Sequence, residues 1–342
     1  MKDEPRCCKR LQEIRRPGTV YRMAASPTLA DVARRAGVHS ATVSRALSRP
    51  EMVNGATLQR VHAAVEALGY VPNNAARQLA GGRTGRIAVI VPDVTNPYFG
   101  GLVQAAQRRA DDGDEIVVLA DTGQRPGREV AAVRSLAAEV DGIVLCGSVG
   151  PVGDLRAAAG ETPVVSVNRR MRGVPSVVVD QEAVVDLAVD HLRLLGHERI
   201  AFLRGPSAYW STQARTRRAD ALDLQLVGPA EPTHDGGRDA LDGVRSTGAT
   251  AVVVFNDLMA AGLLAEASNR GVRVPDELSL VGSDDVSFAA MVHPALTTVA
   301  GRADDLGAAA VDLLHDLAST DSVGDVSLEP YLVVRATTSA PA

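Results

Sequence analysis

The 342 residues are 46 % hydrophobic and 23 % charged, enough apolar material for one large core or two or three smaller domains and too much for a disordered chain. No apolar run reaches the roughly eighteen residues that span a bilayer, and the polar start holds no stretch of signal-peptide type, so the protein is expected in the cytoplasm, away from membranes. The net charge of -5 hides an asymmetry: residues 1–86 carry fifteen Lys+Arg against six Asp+Glu and the remainder twenty-one against thirty-five, a basic head suited to a polyanion on an acidic body.

Residues 1–27, with Arg and Lys clusters and no apolar period, are expected to form a disordered tail, or to lie partly upstream of a true start at Met23. From Thr28 the pattern turns helical. Thr28 is a candidate N-cap with Asp31 at N3, and Leu29, Val32, Ala33 and Ala36 fall at i, i+3, i+4 and i+7. Gly37 and Val38 make a turn in which glycine takes positive φ, and a second helix over about 40–47 buries Val43 and Leu47. A third helix starts near Asn54, carries Val61, Ala64, Val65 and Leu68 on its inner stripe and stops at Gly69. Two short helices joined through a glycine turn and backed by a third make a helix-turn-helix, whose second helix fits the major groove. On that helix Ser40, Ala41 and Arg45 face solvent. Arg45 suits guanine O6 and N7, Ala41 a thymine methyl, and Ser40 a donor or an acceptor. Thr42 and Ser44 suit phosphates, which fix register without specifying sequence.

The DNA-binding domain is therefore assigned to 28–70 and a linker to 71–86, a stretch too short and isolated to hold a helix alone. From 87 to 335 apolar runs at 87–91, 116–120, 143–146, 164–167, 177–179, 200–203, 251–255 and 278–281 alternate with helical stretches. Such alternation predicts parallel sheets covered by helices on both faces, and so many strands favour two α/β lobes. Ligands of such sheets sit beyond the carboxyl ends of the strands, so the loops after them are the places to look. Residues 336–342 read as a tail with no heptad repeat, which favours a dimer over a zipper-held tetramer.

No catalytic constellation accompanies this organisation, and neither an enzymatic activity nor a metal or cofactor is expected. Lys2 and Lys9 are the only lysines, which removes phosphate-loop and Schiff-base chemistry from the body. Cys7, Cys8 and Cys146 lack metal or disulfide spacing, and the seven histidines are dispersed. The adjacent carboxylates Asp284 and Asp285 have no nucleophile to serve.

Residues 28–81, TLADVARRAGVHSATVSRALSRPEMVNGATLQRVHAAVEALGYVPNNAARQLAG, resemble the lactose-repressor/galactose-repressor (LacI/GalR) family of bacterial transcription regulators. The resemblance continues through Arg83-Thr84-Gly85 into IAVIVPDVTNPYF (87–99) and returns at FNDLMA (255–260) and SLVGSDDVSFAAMVHPALTTV (279–299). It implies an α-helical helix-turn-helix DNA-binding head on an α/β two-lobed periplasmic-binding-protein-like body. It further implies that residues 71–86 form a hinge helix that orders against DNA, with Asn73, Ala76 and Leu79 at the minor groove and Leu79 wedged into a central base step. For the cleft the resemblance, together with strand-end placement, implies effector contacts at Asn96, Tyr98, Phe99, Arg169, Trp210, Arg215, Asn256, Asp257 and Asp284. Carboxylates, amides and a guanidinium converging with aromatics suit a polyol, so a sugar is expected, with a purine as the alternative.

Three departures stand out. His39 replaces the family's usual serine at the start of the second helix, and an imidazole is a poorer N-cap. Asn168 replaces an aspartate before Arg169, removing a charge. The segment TRRADALDLQL after Arg215 and a shortened stretch before Gly236 predict an altered second lobe. The reading is a ligand-responsive regulator, a repressor binding double-stranded, pseudo-palindromic operator DNA as a homodimer. The alternatives are a solute-binding protein of periplasmic type, against which the basic head argues, and a binding module that has lost operator control.

Overall fold

The computed structural model describes residues 27–70, 83–320 and 323–342, and the chain separates into two compact units, 1–82 and 83–342. The expected hinge contacts Asn73, Ala76 and Leu79, and the expected tail up to residue 26, lie outside the described residues.

In the head, α1 (Leu29–Ala36) opens on a capping box in which the Asp31 amide donates to Thr28 Oγ1 at 3.3 Å and the Thr28 amide to Asp31 Oδ2 at 2.9 Å. Gly37, at φ 65°, ends it in the left-handed conformation that a side chain would resist. Then come α2 (Ser40–Ser48) and α3 (Gly55–Leu68), the latter capped by the Asn54 side chain. Val32, Ala33, Ala36, Val43, Ala46, Val61 and Ala64 bury themselves together with Tyr70. Leu47, expected inside, is only half-buried, while Ala46 is fully buried. The helical period sets both beside Val43, and the smaller residue takes the closer approach to the core.

The body begins with β1 (Arg86–Val91), α4 (Pro97–Asp111), β2 (Ile116–Asp121), α5 (Pro126–Leu136), β3 (Gly142–Cys146), α6 (Val152–Ala159), β4 (Val164–Val167) and β5 (Ser176–Val179). It crosses to a second lobe with α7 (Gln181–Leu194), β6 (Ile200–Leu203), α8 (Trp210–Ala221), β7 (Gln225–Val227), α9 (His234–Asp239), α10 (Leu241–Ser246), β8 (Ala251–Val254), α11 (Asp257–Asn269), β9 (Ser279–Asp284) and β10 (Thr297–Ala300). The chain returns through α12 (Ala303–Ser319) and β11 (Val326–Leu328) before crossing a third time into β12 (Tyr331–Val333). Among the described residues there are two six-stranded sheets, β11-β5-β4-β3-β1-β2 and β12-β10-β9-β8-β6-β7. Pairing is parallel throughout except at the β10–β12 edge. Fully buried runs such as β3 and β8 are what helices on both faces require.

The sequence runs missed β7, β10, β11 and β12. Three of these are three-residue edge strands, too short to display a period, and β10 opens with two buried threonines. The body also starts earlier than residue 87, because the amides of Thr84 and Gly85 donate to the Asp141 carboxylate at 2.7 and 2.8 Å. Residues 336–342 are no loose tail. Leu280 donates its amide to the Thr337 carbonyl at 2.8 Å, Thr337 Oγ1 donates to the Leu280 carbonyl at 2.6 Å, and Thr337 is fully buried. Small polar residues achieve this through backbone and hydroxyl bonds, which leave no apolar trace in the sequence. In the departing region of the second lobe, α9 and α11 touch backbone to backbone. A Cβ on Gly237 would overlap the Met259 carbonyl, and one on Gly262 the His234 carbonyl.

His197 fastens the C-terminal segment. Its Nε2 bonds the Ser339 carbonyl at 2.9 Å and its Nδ1 lies 2.8 Å from Thr250 Oγ1, with the side chain only 2 % exposed. Burial lowers its pKa, and the Ser339 carbonyl opposes that shift. The neutral ring is therefore the folded form. Its stabilisation is complete above the ordinary histidine value, about 6.5, and declines as pH falls and the unfolded chain takes up the proton first. The melting-temperature gap between the parent and His197→Gln is thus expected to be wider at pH 7.5 than at pH 5.5. The gap is the quantity to read, because buried Asp257, whose carboxyl is pushed up to about 7, acts with the opposite sign. A gap that widens in acid would contradict this role.

Candidate functional site

The head presents one polar face. Ser40, Ala41, Ser44 and Arg45 are exposed on α2 and Thr42 is half-exposed, while Val43 and Ala46 turn inward, so the five expected DNA-contacting residues of this helix share one accessible surface. His39 caps α2 without a side-chain hydrogen bond, as its imidazole predicts.

In the body a cavity opens between the two sheets. Its wall is assembled from strand ends and the loops after them: Asn96, Tyr98 and Phe99 after β1, Gln124 after β2, Ser148 after β3 and Asn168 after β4. The second lobe supplies Gln181, Tyr209, Trp210, Ser211, Arg215, Phe255, Asn256 and Asp284. Placement beyond the carboxyl ends follows from parallel strand direction, which turns every βα loop of both lobes toward one cleft.

Arg215 is the electrostatic centre. On the second turn of α8 it is 6 % exposed, donating from Nε to Gln181 Oε1 and from Nη1 to the Phe255 carbonyl, both at 2.7 Å. Its guanidinium also lies 5.3 Å from the centroid of the Phe255 ring. Burial lowers its pKa and the nearby Asp284 opposes this; conversely, burial raises the Asp284 carboxyl, and the Asp257 charge adds to that rise. Asp284 sits at φ 119°, a conformation rare for a side chain, so the backbone holds this carboxyl under strain.

Tyr98 joins the walls. Its hydroxyl donates to the Gly301 carbonyl at 3.3 Å and accepts from Asn168 Nδ2 at 2.6 Å, and its ring meets Phe99 edge to face at 5.3 Å. With its amide nitrogen so engaged, Asn168 leaves Oδ1 buried and without a partner. A buried acceptor in that state is costly until a donor reaches it.

Two expected contacts lie elsewhere. Arg169 does not line the cavity; its guanidinium donates to the carbonyls of Ser148 and Gly150 at 3.1 and 2.7 Å and braces the loop after β3. Asp257 is fully buried behind the wall, accepting from Thr298 Oγ1 at 2.6 Å and the Val286 amide at 3.0 Å. It ties β10 and the Asp284–Asp285 turn to α11. Asn96 and Asn256 line the cavity but also cap helices, their side chains accepting from the amides of Tyr98 and Met259. Sequence reasoning passed over Gln124, Ser148, Asn168, Gln181, Tyr209 and Phe255 as contacts. All but Tyr209 stand within three residues of a strand's carboxyl end, so the placement rule applied evenly would have found them. Among the described residues no cluster of His, Cys, Asp or Glu could hold a metal, and no helix is long and apolar enough to cross a membrane.

Comparison with known proteins adds three findings. Residues 28–73 match the pattern of "Bacterial regulatory proteins, lacI family" and residues 189–338 that of "Periplasmic binding protein-like domain". The repressor CytR and the regulator GalR of Escherichia coli K12 are 30 % and 32 % identical to this chain, each over 92 % of it and 96 % of the relative. The Lac repressor dimer, solved with operator and the anti-inducer ONPF, superposes with a TM-score of 0.80 at 30 % identity, covering 92 % of this chain and 99 % of that one. A regulator from Enterococcus faecalis V583 with bound ribose has a TM-score of 0.69 at 26 % identity, covering 75 % and 99 %.

Proposed function

The chain belongs to the LacI family of bacterial regulatory proteins, and we propose that it is a cytoplasmic repressor that binds a pseudo-palindromic operator as a homodimer and is controlled by a sugar in the interlobe cavity. The observation that carries this reading is the presence, in one chain, of an exposed helix face bearing Arg45 and an interlobe cavity built around Arg215. One reads a polyanion; the other suits a neutral polyol. The sugar assignment is supported by the ring faces of Phe99, Tyr209 and Phe255 beside the hydrogen-bonding set, and by ribose in a related regulator. Pairing of two copies is supported by an apolar face on the first lobe, where Val94, Ile116 and Leu119 are 48, 53 and 42 % exposed around the edge strand β2. An effector alters DNA affinity only if it binds the two conformers unequally.

The reading is tested by thermal-shift screening of pentoses, hexoses and purine nucleosides, because a ligand at about a hundred times its Kd stabilises the folded state by about 2.7 kcal/mol. A rise with a sugar supports the assignment, and a rise with a purine nucleoside alone overturns it. For the hinge, Leu79→Ala is expected to weaken operator binding about tenfold while effector binding is unchanged, since the apolar wedge offsets the cost of unstacking. Equal operator affinity for the parent and this variant would contradict the proposed wedge.

A further inference from the structure

A second cluster of charged side chains lies outside the cavity, where the chain enters the body. Glu115, just before β2, is 5 % exposed and accepts from two side chains far apart in sequence: the guanidinium of Arg83 and His315 Nε2, the latter at 2.7 Å. Asp141 stands beside it, 3.7 Å from Arg83 Nε, and holds the amides of Thr84 and Gly85. Residues 83–85 are thus fastened to β2, β3 and α12 at once. His315 sits twelve positions into α12 from Ala303, about 18 Å along the axis at 1.5 Å per residue. The opposite end of α12 follows Gly301, whose carbonyl takes the Tyr98 hydroxyl at the cavity wall. Between these ends α12 presses on α4 so closely that Gly307 has no room for a Cβ against the Leu102 carbonyl. One rigid helix therefore runs from the cavity to the fastening.

We propose that Glu115 and His315 are positioning residues that tie Arg83, and with it the entry of the chain into the body, to α12 and through that helix to the cavity wall. The inference rests on the operator-binding reading above. Specific binding requires two heads placed at half-site spacing, and loosening the entry point lowers the effective concentration of the second head. Non-specific binding needs only the charge of a head.

The test uses the full chain and a duplex selected on it from a random library. Glu115→Gln is expected to lower affinity for that duplex about tenfold, the scale of one charge-assisted hydrogen bond, and to leave affinity for random duplex within about twofold. His315→Leu should behave like Glu115→Gln, whereas His315→Gln, which keeps a donor, should restore parental binding. Combining Glu115→Gln with Tyr98→Phe should give a loss smaller than the product of the two single losses, because both act through α12. Unchanged affinity for the selected duplex, equal losses on selected and random duplexes, or strictly multiplicative losses would overturn the proposal. A parent chain that does not prefer the selected duplex to random would bring down the operator reading together with it.

Discussion

Arg45→Ala is expected to reduce discrimination between operator and random duplex by about tenfold to a hundredfold at matched salt, the range of one bidentate contact to guanine. The side chain is exposed on the accessible face of α2 and pairs with no carboxylate among the described residues, so its donors are available to a base edge. Binding to random duplex should weaken far less, by the loss of one positive charge. Competition titrations with selected and random duplexes at several salt concentrations separate the two effects. Parallel losses on both duplexes would place Arg45 at a phosphate instead.

The second large effect concerns Arg215. Arg215→Met keeps most of the side-chain volume but strips donors from Gln181 Oε1 and the Phe255 carbonyl, both buried, at a cost of about 1–3 kcal/mol to the unliganded protein. The thermal response to the effector should disappear, because the central donor of the cavity is gone. Arg217→Met, two residues on and exposed, is the control and should change neither property by more than about 0.5 kcal/mol. An Arg215→Met protein that kept its full response would remove this guanidinium from the binding site.

The head was legible in the sequence nearly residue by residue, because capping and helical periodicity are local. Thr28, Asp31, Gly37, Asn54 and Gly69 announce the ends of its helices through side-chain acceptors and positive φ, and each performs that role. The body was legible as strands wherever four or more β-branched or aliphatic residues follow one another, as at 251–254, and illegible where pairing relies on three-residue edge strands or on Thr337 and its hydroxyl. In the site, strand-end placement brought Tyr98, Phe99, Asn256 and Asp284 to one cavity wall, and the family resemblance of the loop-helix segment added Arg215. It could not tell a side chain that faces the cleft from one that braces it. Asn168 and Arg169 are adjacent, yet the positive φ of Asn168 turns the amide into the cavity and leaves the guanidinium to the loop carbonyls. Likewise Asp257 follows Asn256 by one residue, and the helical turn that begins there sends it into the interior beneath Thr298.

On the proposed function, the exposed face of α2 reads sequence on behalf of an effector-holding body. The most direct measurement is the ratio of affinities for a selected palindromic duplex and a random one at physiological salt, taken with and without the sugar found by thermal shift. A preference of at least about a thousandfold that changes when the sugar is added is the expected result. Equal affinity for the two duplexes, or a preference the bound sugar leaves untouched, would contradict it.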